Sequence, residues 1–139
     1  MRLFPDTNVL VSAIIARGLC EDLLRLLVRG HVRGRWELLI GAPVEIEFTR
    51  ILHTRLHADN ETMAIARDLL ADGQRVPSSA VNLTLPIPDL DDIPILACAL
   101  AAQADFFITG DKALLDLNEV HSMRLCSPRQ MWDRLFACD

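Results

Sequence analysis

Short apolar runs alternate with longer amphipathic segments along the chain, and this alternation predicts strands connected by helices. Four runs are too short for a helix and end near glycine, proline or polar residues, which is typical of buried strands. The predicted strands are residues 2–4, 37–40, 106–109 and 124–126. The proline-rich stretch 74–90 is predicted as a loop, with at most a short strand near Val76 or Val81.

The segments between these runs have the apolar spacing of helices. Segments 9–16 and 93–102 are apolar nearly all round and are therefore predicted to be buried, whereas segment 20–29 has one apolar face and ends at Gly30. Further helices are predicted from 41–43 to about 55, at 60–72 with Asn60 as its cap, as a short turn at 112–117, and at 131–137. Ser127 and Gln130 match a capping box, with Pro128 at the first helical position. Strands separated by helices imply a mostly parallel sheet that is covered on both faces, which is an α/β fold.

Length and composition narrow the class of protein. A chain of 139 residues is predicted to form one domain, residues 1–139. Its 51% hydrophobic and 5% aromatic residues predict an aliphatic core, which suits a layered α/β fold. The formal net charge of −5 argues against binding nucleic acid through one large basic field.

Cysteine usage and hydropathy predict a cytoplasmic protein. The four cysteines, Cys20, Cys98, Cys126 and Cys138, form no C-x-x-C pair, so reduced thiols are expected. Asp6 interrupts the N-terminus before a signal sequence could form. The apolar segment 93–102 is far shorter than the roughly 20 residues that span a bilayer, so no membrane association is expected.

Acidic residues stand at the ends of several predicted elements. Asp6 and Asp111 each follow a predicted strand, and Asp92 opens a buried helix after Asp89 and Asp91. Ligand crevices of parallel sheets lie beyond the carboxyl ends of the strands, so these acids are expected to converge there. Clustered carboxylates raise one another's pKa unless a cation compensates, and such hard oxygen ligands select Mg²⁺ or Mn²⁺. Two such ions could support phosphodiester cleavage by water.

A fourth acid is expected from the helix that follows Pro43. Glu45 and Glu47 flank its apolar face at similar angles on opposite sides. Helical periodicity therefore leaves both glutamates as candidates.

Several segments together resemble one protein family. They are DTNVLVSA from Asp6, GLCEDLLRLLVRGH from Gly18, EFTRIL from Glu47, DLDDIPILACALAAQADFFITGDKALL from Asp89, and SPRQMWDRL from Ser127. In this order they resemble the PIN domain, the ribonuclease fold of VapC-type toxins, and specifically the bacterial PIN proteins of toxin–antitoxin systems. The resemblance covers most of the chain.

The resemblance implies a three-layer α/β/α sandwich with a five-stranded, mostly parallel sheet, and Mg²⁺- or Mn²⁺-dependent cleavage of single-stranded RNA. Position by position, the resemblance assigns the catalytic, metal-binding acids to Asp6, Glu47, Asp92 and Asp111. It assigns supporting roles to Asn8 and Thr109, with Asp89 and Asp91 as further acids at the edge of the site. It also implies a homodimer and a separately encoded antitoxin partner. The alternative is a PIN-fold protein that binds RNA or a partner with little or no turnover.

A few other polar residues are candidates beside the four acids. Lys112, which follows Asp111, and Arg50 are candidate contacts for RNA phosphates, as is Arg55. Ser12 lies one helical turn after Asn8 and is a candidate hydrogen-bonding residue near the metals. His53 and His57 have the spacing of a zinc pair, but with no third ligand nearby they are interpreted as helix surface.

Overall fold

The computed structural model describes residues 1–137, in which a central sheet of six strands is flanked by helices. In chain order the elements are β1 Arg2–Pro5, α1 Thr7–Ile15, α2 Leu19–Val32, β2 Glu37–Gly41, α3 Ala42–Thr54, α4 Asn60–Leu70, β3 Gln74–Val76, α5 Asp92–Ala101, β4 Phe106–Ile108, α6 Lys112–Leu115, β5 Glu119–Val120, β6 Met123–Cys126 and α7 Pro128–Ala137. No helix among the described residues is long and apolar enough to cross a membrane.

The sheet has the order β3-β2-β1-β4-β6-β5, and every pairing except that of β5 with β6 is parallel. This confirms the mostly parallel α/β sandwich. The sixth strand, β5, was not predicted because two residues are too few to show the alternation of apolar and polar side chains that marks a strand. It forms a hairpin with β6, in which His121 adopts a φ of 55°.

The hydrophobic core lies on both faces of the central strands. Leu3, Phe4, Phe107 and Ile108 are fully buried, and the rings of Phe4 and Phe107 stack with centroids 5.5 Å apart. Strands covered on both sides need continuous apolar runs, which is why these strands were readable from the sequence.

The helix boundaries mostly follow the predictions, with two corrections. The N-cap of α4 is Asp59, whose carboxylate accepts the Thr62 N–H at 2.8 Å, and not Asn60. Gly30 does not end α2, which continues to Val32. The capping box of α7 is confirmed.

In that capping box, the Ser127 N–H donates to Gln130 Oε1 at 2.9 Å and the Gln130 N–H donates to Ser127 Oγ at 3.1 Å. Cys20, Cys98 and Cys126 are free thiols, and Cys138 lies outside the described residues.

Candidate active site

Asp6 is the most buried acid of the site and lies where β1 passes into α1. Its side chain is 4% exposed and caps α1, with Oδ1 accepting the Thr7 N–H at 2.8 Å. Oδ2 accepts hydrogen bonds from the Thr109 hydroxyl at 2.8 Å and the Asn8 amide at 3.1 Å. Three donors therefore fix the orientation of this carboxylate.

The same hydrogen bonds tie the loop after β4 to the start of α1. The Asn8 amide also donates to Thr109 Oγ1 at 3.2 Å, while its carbonyl oxygen accepts the Gly110 N–H at 3.1 Å. The Asp111 N–H donates to Thr109 Oγ1 at 3.1 Å. Because β1 and β4 are adjacent and parallel, with Pro5 opposite Ile108, their carboxyl ends bring these segments together. The structure thus places Asn8 and Thr109 as links between Asp6 and the Asp111 loop.

The acids that were predicted to converge interact electrostatically. Burial raises the pKa of Asp6 to about 6, despite hydrogen bonds that lower it, and the nearby carboxylates of Glu47 and Asp111 raise it further. Burial likewise raises the pKa of Asp92 to about 7, with added repulsion from Asp6, Asp89, Asp111 and Glu47. Each ionised carboxylate disfavours ionisation of the carboxylates near it. Helices α3 and α5, the residues that precede α1 and α6, and the loop before α5 therefore contribute acids to one region.

A cleft of about 290 Å³ lies at this edge of the sheet. We call it the acidic cleft; its lining residues are Asp6, Thr7, Asn8, Val11, Ser12, Glu47, Ile51, Arg55 and Asp92. Glu47 lies within α3 and Arg55 is the C-cap residue of the same helix, and both line the cleft. Glu45, by contrast, forms an ion pair with Arg75 at 2.9 Å outside this cleft.

Other predicted residues lie at the margin of the acidic cleft or away from it. Asp111 caps α6, with Oδ1 accepting the Ala113 N–H at 2.9 Å, and Lys112 beside it is exposed. Arg50 is exposed on α3 and does not line the cleft, whereas Arg55, the C-cap residue of α3, does. Asp91 is exposed, and its N–H donates to Asp89 Oδ1 at 3.0 Å.

Thr7, which follows Asp6, is a polar residue of the site that the sequence did not single out. It lines the acidic cleft, is 3% exposed, and its hydroxyl oxygen has no hydrogen-bond partner within residues 1–137. Nothing in the sequence distinguishes this buried hydroxyl from an ordinary cap, because its environment is created by the packing of α1 against α3.

The chemistry of these side chains fits a hard divalent cation. Within residues 1–137, no three His, Cys, Asp or Glu side chains, His53 and His57 included, are arranged so that they could hold a metal ion as they stand. The potential metal ligands of the acidic cleft are nevertheless all oxygen atoms, and burial together with repulsion among the carboxylates raises the pKa values of Asp6 and Asp92. A divalent cation would relieve this repulsion, so the residues present suit Mg²⁺ or Mn²⁺.

Comparison with known proteins agrees with this fold. A chain of VapBC2 from Rickettsia felis, crystallised with a DNA fragment from the promoter, superposes with a TM-score of 0.64 at 15% identity, covering 91% of this chain and 98% of that one. The PIN domain endonuclease Utp24 superposes with a TM-score of 0.52 at 14% identity, covering 91% and 84%. Comparison with curated proteins gives no match. The sequence model of the PIN domain matches residues 2–113, a span that includes all four proposed acids, and the chain therefore belongs to the PIN domain family.

Proposed function

We propose that this protein is a metal-dependent endoribonuclease that cleaves single-stranded RNA and serves as the toxin of a toxin–antitoxin pair. The observation that carries the proposal is the meeting of Asp6, Glu47, Asp92 and Asp111 at the carboxyl edge of the sheet, where burial, with added repulsion among the carboxylates, raises the pKa values of Asp6 and Asp92. Membership of the PIN domain family supports it.

In this proposal Asp6, Glu47, Asp92 and Asp111 hold Mg²⁺ or Mn²⁺. Such ions, when bound, lower the pKa of water and stabilise the leaving oxygen of a phosphodiester. Thr109 and Asn8 keep the Asp6 carboxylate in one orientation through the hydrogen bonds described above. Asp111 is the one acid of the four that does not line the acidic cleft, and it caps α6 with Oδ1, so we assign it the most peripheral of the four positions.

Cationic side chains around the acidic cleft would position the RNA backbone. Arg55 lines the cleft two turns from Glu47, where a guanidinium can bind a phosphate next to the one that is cleaved. We assign weaker, outer contacts to Lys112 and Arg50, since both are exposed and neither lines the cleft. Ser12 lines the cleft and is a candidate hydrogen-bond donor to the bound RNA.

The toxin role and the partners are part of the proposal. The likeness of fold to a VapBC2 chain supports a separate antitoxin protein as partner. A homodimer is supported by large apolar side chains that are exposed on the helices, including Ile15 at 57% and Ile46 at 68%. Sedimentation of the purified protein would test the dimer.

The first test is Mn²⁺-dependent cleavage of single-stranded RNA by the purified protein and by Asp6→Asn. We expect the substitution to reduce cleavage by at least two orders of magnitude, because it removes the most buried carboxylate and its charge. Calorimetric titration with Mn²⁺ should accompany the assay. Equal cleavage by the two proteins would refute the assigned site, whereas a wild-type protein that binds neither Mn²⁺ nor Mg²⁺ would favour a binding role without turnover.

The second test uses the two glutamates that the sequence could not separate. Glu47→Gln should lose most cleavage because Glu47 lines the acidic cleft, while Glu45→Gln is the matched control on the same helix. The control loses only an exposed ion pair with Arg75, which is worth about 0–1 kcal/mol of stability. The assignment of Glu47 is wrong if Glu45→Gln is the more damaging change.

A further inference from the structure

A second polar cleft, of about 220 Å³, lies away from the acidic cleft and is lined by arginines instead of acids. We call it the arginine cleft; it is formed by β4, β6, α7 and the turn at Asn118. Phe106 at its base is the first residue of β4, whereas Thr109 and Asp111 follow the end of that strand. The arginine cleft also reaches Cys126, which is opposite Ile108 at the carboxyl end of β4, but no residue lines both clefts.

Two guanidinium groups share the ring of Phe106. The Cζ atom of Arg134 lies 4.6 Å from the ring centroid, and that of Arg124, which is opposite Phe106 in the sheet register, lies 6.0 Å from it. Within residues 1–137 neither guanidinium forms an ion pair. Contact with the ring orients both cations. Glu119 is opposite Arg124 in the antiparallel pair of β5 with β6, but it does not line the cleft and forms no ion pair with Arg124.

The remaining polar groups of the arginine cleft also favour an anion. Gln130 uses its carbonyl oxygen to accept the Ser127 N–H, so its NH₂ group is the part left to donate. Asn118 contributes a second amide, and no Asp or Glu lines the cleft. The neighbouring carboxylate of Asp105 accepts the backbone N–H of Arg2 at 2.7 Å and lines a different cleft. In a chain of net charge −5, this is a local concentration of donors with positive charge.

We propose that the arginine cleft binds a phosphate group. Guanidinium groups match the geometry of phosphate oxygens and form charge-assisted hydrogen bonds with them. Phe106 is only 7% exposed beneath the two arginines, so no open aromatic face remains on which a base could stack. The recognised group is therefore the anion itself, either free phosphate or a phosphodiester of a nucleic acid. The proposal does not depend on nuclease activity, because the cleft excludes the four acids.

The test is an NMR titration of the full-length, metal-free protein with inorganic phosphate and, separately, with a short single-stranded RNA. We expect saturable shifts of the side-chain N–H signals of Arg124, Arg134 and Gln130. An RNA that binds at least tenfold more tightly than phosphate through these side chains would identify a nucleic acid as the source, and similar affinities would identify free phosphate. Absence of saturable shifts at these side chains with both ligands would overturn the proposal.

Two double variants distinguish binding at the arginine cleft from non-specific attraction of phosphate to positive charge. The Arg124→Gln and Arg134→Gln double variant should weaken phosphate binding roughly tenfold or more, as expected for loss of charge-assisted hydrogen bonds. The control double variant, Arg33→Gln and Arg129→Gln, removes the same charge from exposed arginines outside the cleft. Equal weakening in both would overturn the proposal, as would a glutamate-rich peptide that shifts the same side chains more strongly than phosphate does. Thermal unfolding of each variant checks that the fold is kept.

Discussion

At the scale of single residues, the main feature is a carboxylate that is buried and yet accepts three hydrogen bonds. Asp6 accepts from the Thr7 N–H, the Asn8 amide and the Thr109 hydroxyl, all of which stabilise its charged form. Burial outweighs them, and the net effect is a raised pKa. A carboxylate that is held in one orientation, and whose charge is only partly stabilised by its hydrogen bonds, is suited to bind a cation.

The raised pKa values predict the pH dependence of stability without metal. Asp6 and Asp92 have pKa values of about 6 and about 7 in the fold, against an ordinary value of 3.8, so the folded state binds more protons than the unfolded chain between these limits. Stability from these groups is present below about pH 4 and is lost as the pH rises through about 7. For Asp6 the shift corresponds to about 3 kcal/mol.

Thermal unfolding in a chelator checks this prediction. The Tm of Asp92→Asn should fall less between about pH 5 and pH 8 than that of the wild type, because the substitution removes one of the raised groups. Asp68→Asn, which changes an exposed acid on α4, is the control. Identical pH profiles for Asp92→Asn and the wild type would contradict the prediction.

The unpaired hydroxyl of Thr7 gives a second prediction at this scale. Thr7→Val keeps the shape of the side chain and removes a buried polar atom that has no described partner, so it should raise the free energy of unfolding by about 1 kcal/mol. Thr7→Ser keeps the hydroxyl and loses the methyl group, so it should lower stability. Chemical denaturation measures both, and a destabilised Thr7→Val protein would show that the hydroxyl is paired in solution.

At the scale of elements, α2 is attached to the sheet through the indole of Trp36. The Trp36 N–H donates to the Leu27 carbonyl at 2.9 Å, and a Cβ atom added at Gly30 would lie only 2.0 Å from the indole. Gly30 was predicted to end this helix. Its actual role is to leave room for the indole to pack against the helix backbone, although glycine has a lower helix propensity than alanine.

Gly30→Ala should therefore destabilise the protein although alanine favours helix. We expect a loss of about 1–3 kcal/mol from overpacking, which exceeds the gain of about 1 kcal/mol in propensity. Trp36→Phe makes space for the added methyl group, so the double variant should lose less stability than the sum of the single variants. Denaturation of the four proteins measures this coupling, and strict additivity would contradict the proposed contact.

At the scale of the whole molecule, parallel pairing of β1 with β4 gathers charge at one edge of the sheet. The acidic cleft receives side chains from the start of α1 and α5 and from the body of α3, while the Asp111 loop lies beside it. Helices α1 and α3 lie next to each other, which places Glu47 near Asp6. Folding thus concentrates negative charge that a bound cation would offset.

Metal binding should therefore stabilise the fold. At a free Mn²⁺ concentration about a hundredfold above Kd, mass action adds about 3 kcal/mol to the free energy of unfolding. Thermal unfolding with added Mn²⁺ and then with excess chelator measures the gain and its reversal. Asp92→Asn should show a much smaller gain than Glu45→Gln, and equal gains would remove Asp92 from the metal site.

The sequence by itself determined the parallel α/β architecture and the acids at strand ends. Strands that are covered on both faces are continuously apolar, and the residue before a helix is often a capping side chain. Both patterns can be recognised in a short stretch of sequence. The capping box of Ser127 and Gln130 was predicted correctly for the same reason. Asp6 and Asp111 also cap the helices that follow their strands, which is why their positions were readable.

Only the tertiary structure decided which side chains share an environment. Glu45 and Glu47 are equivalent on a helical wheel. In the fold, Glu45 forms an ion pair with Arg75, whereas Glu47 lies near Asp6. The role of Gly30 likewise depends on Trp36, which approaches from a different element. Local sequence records the faces of a helix but not the neighbour that each face meets, because that neighbour is set by long-range packing.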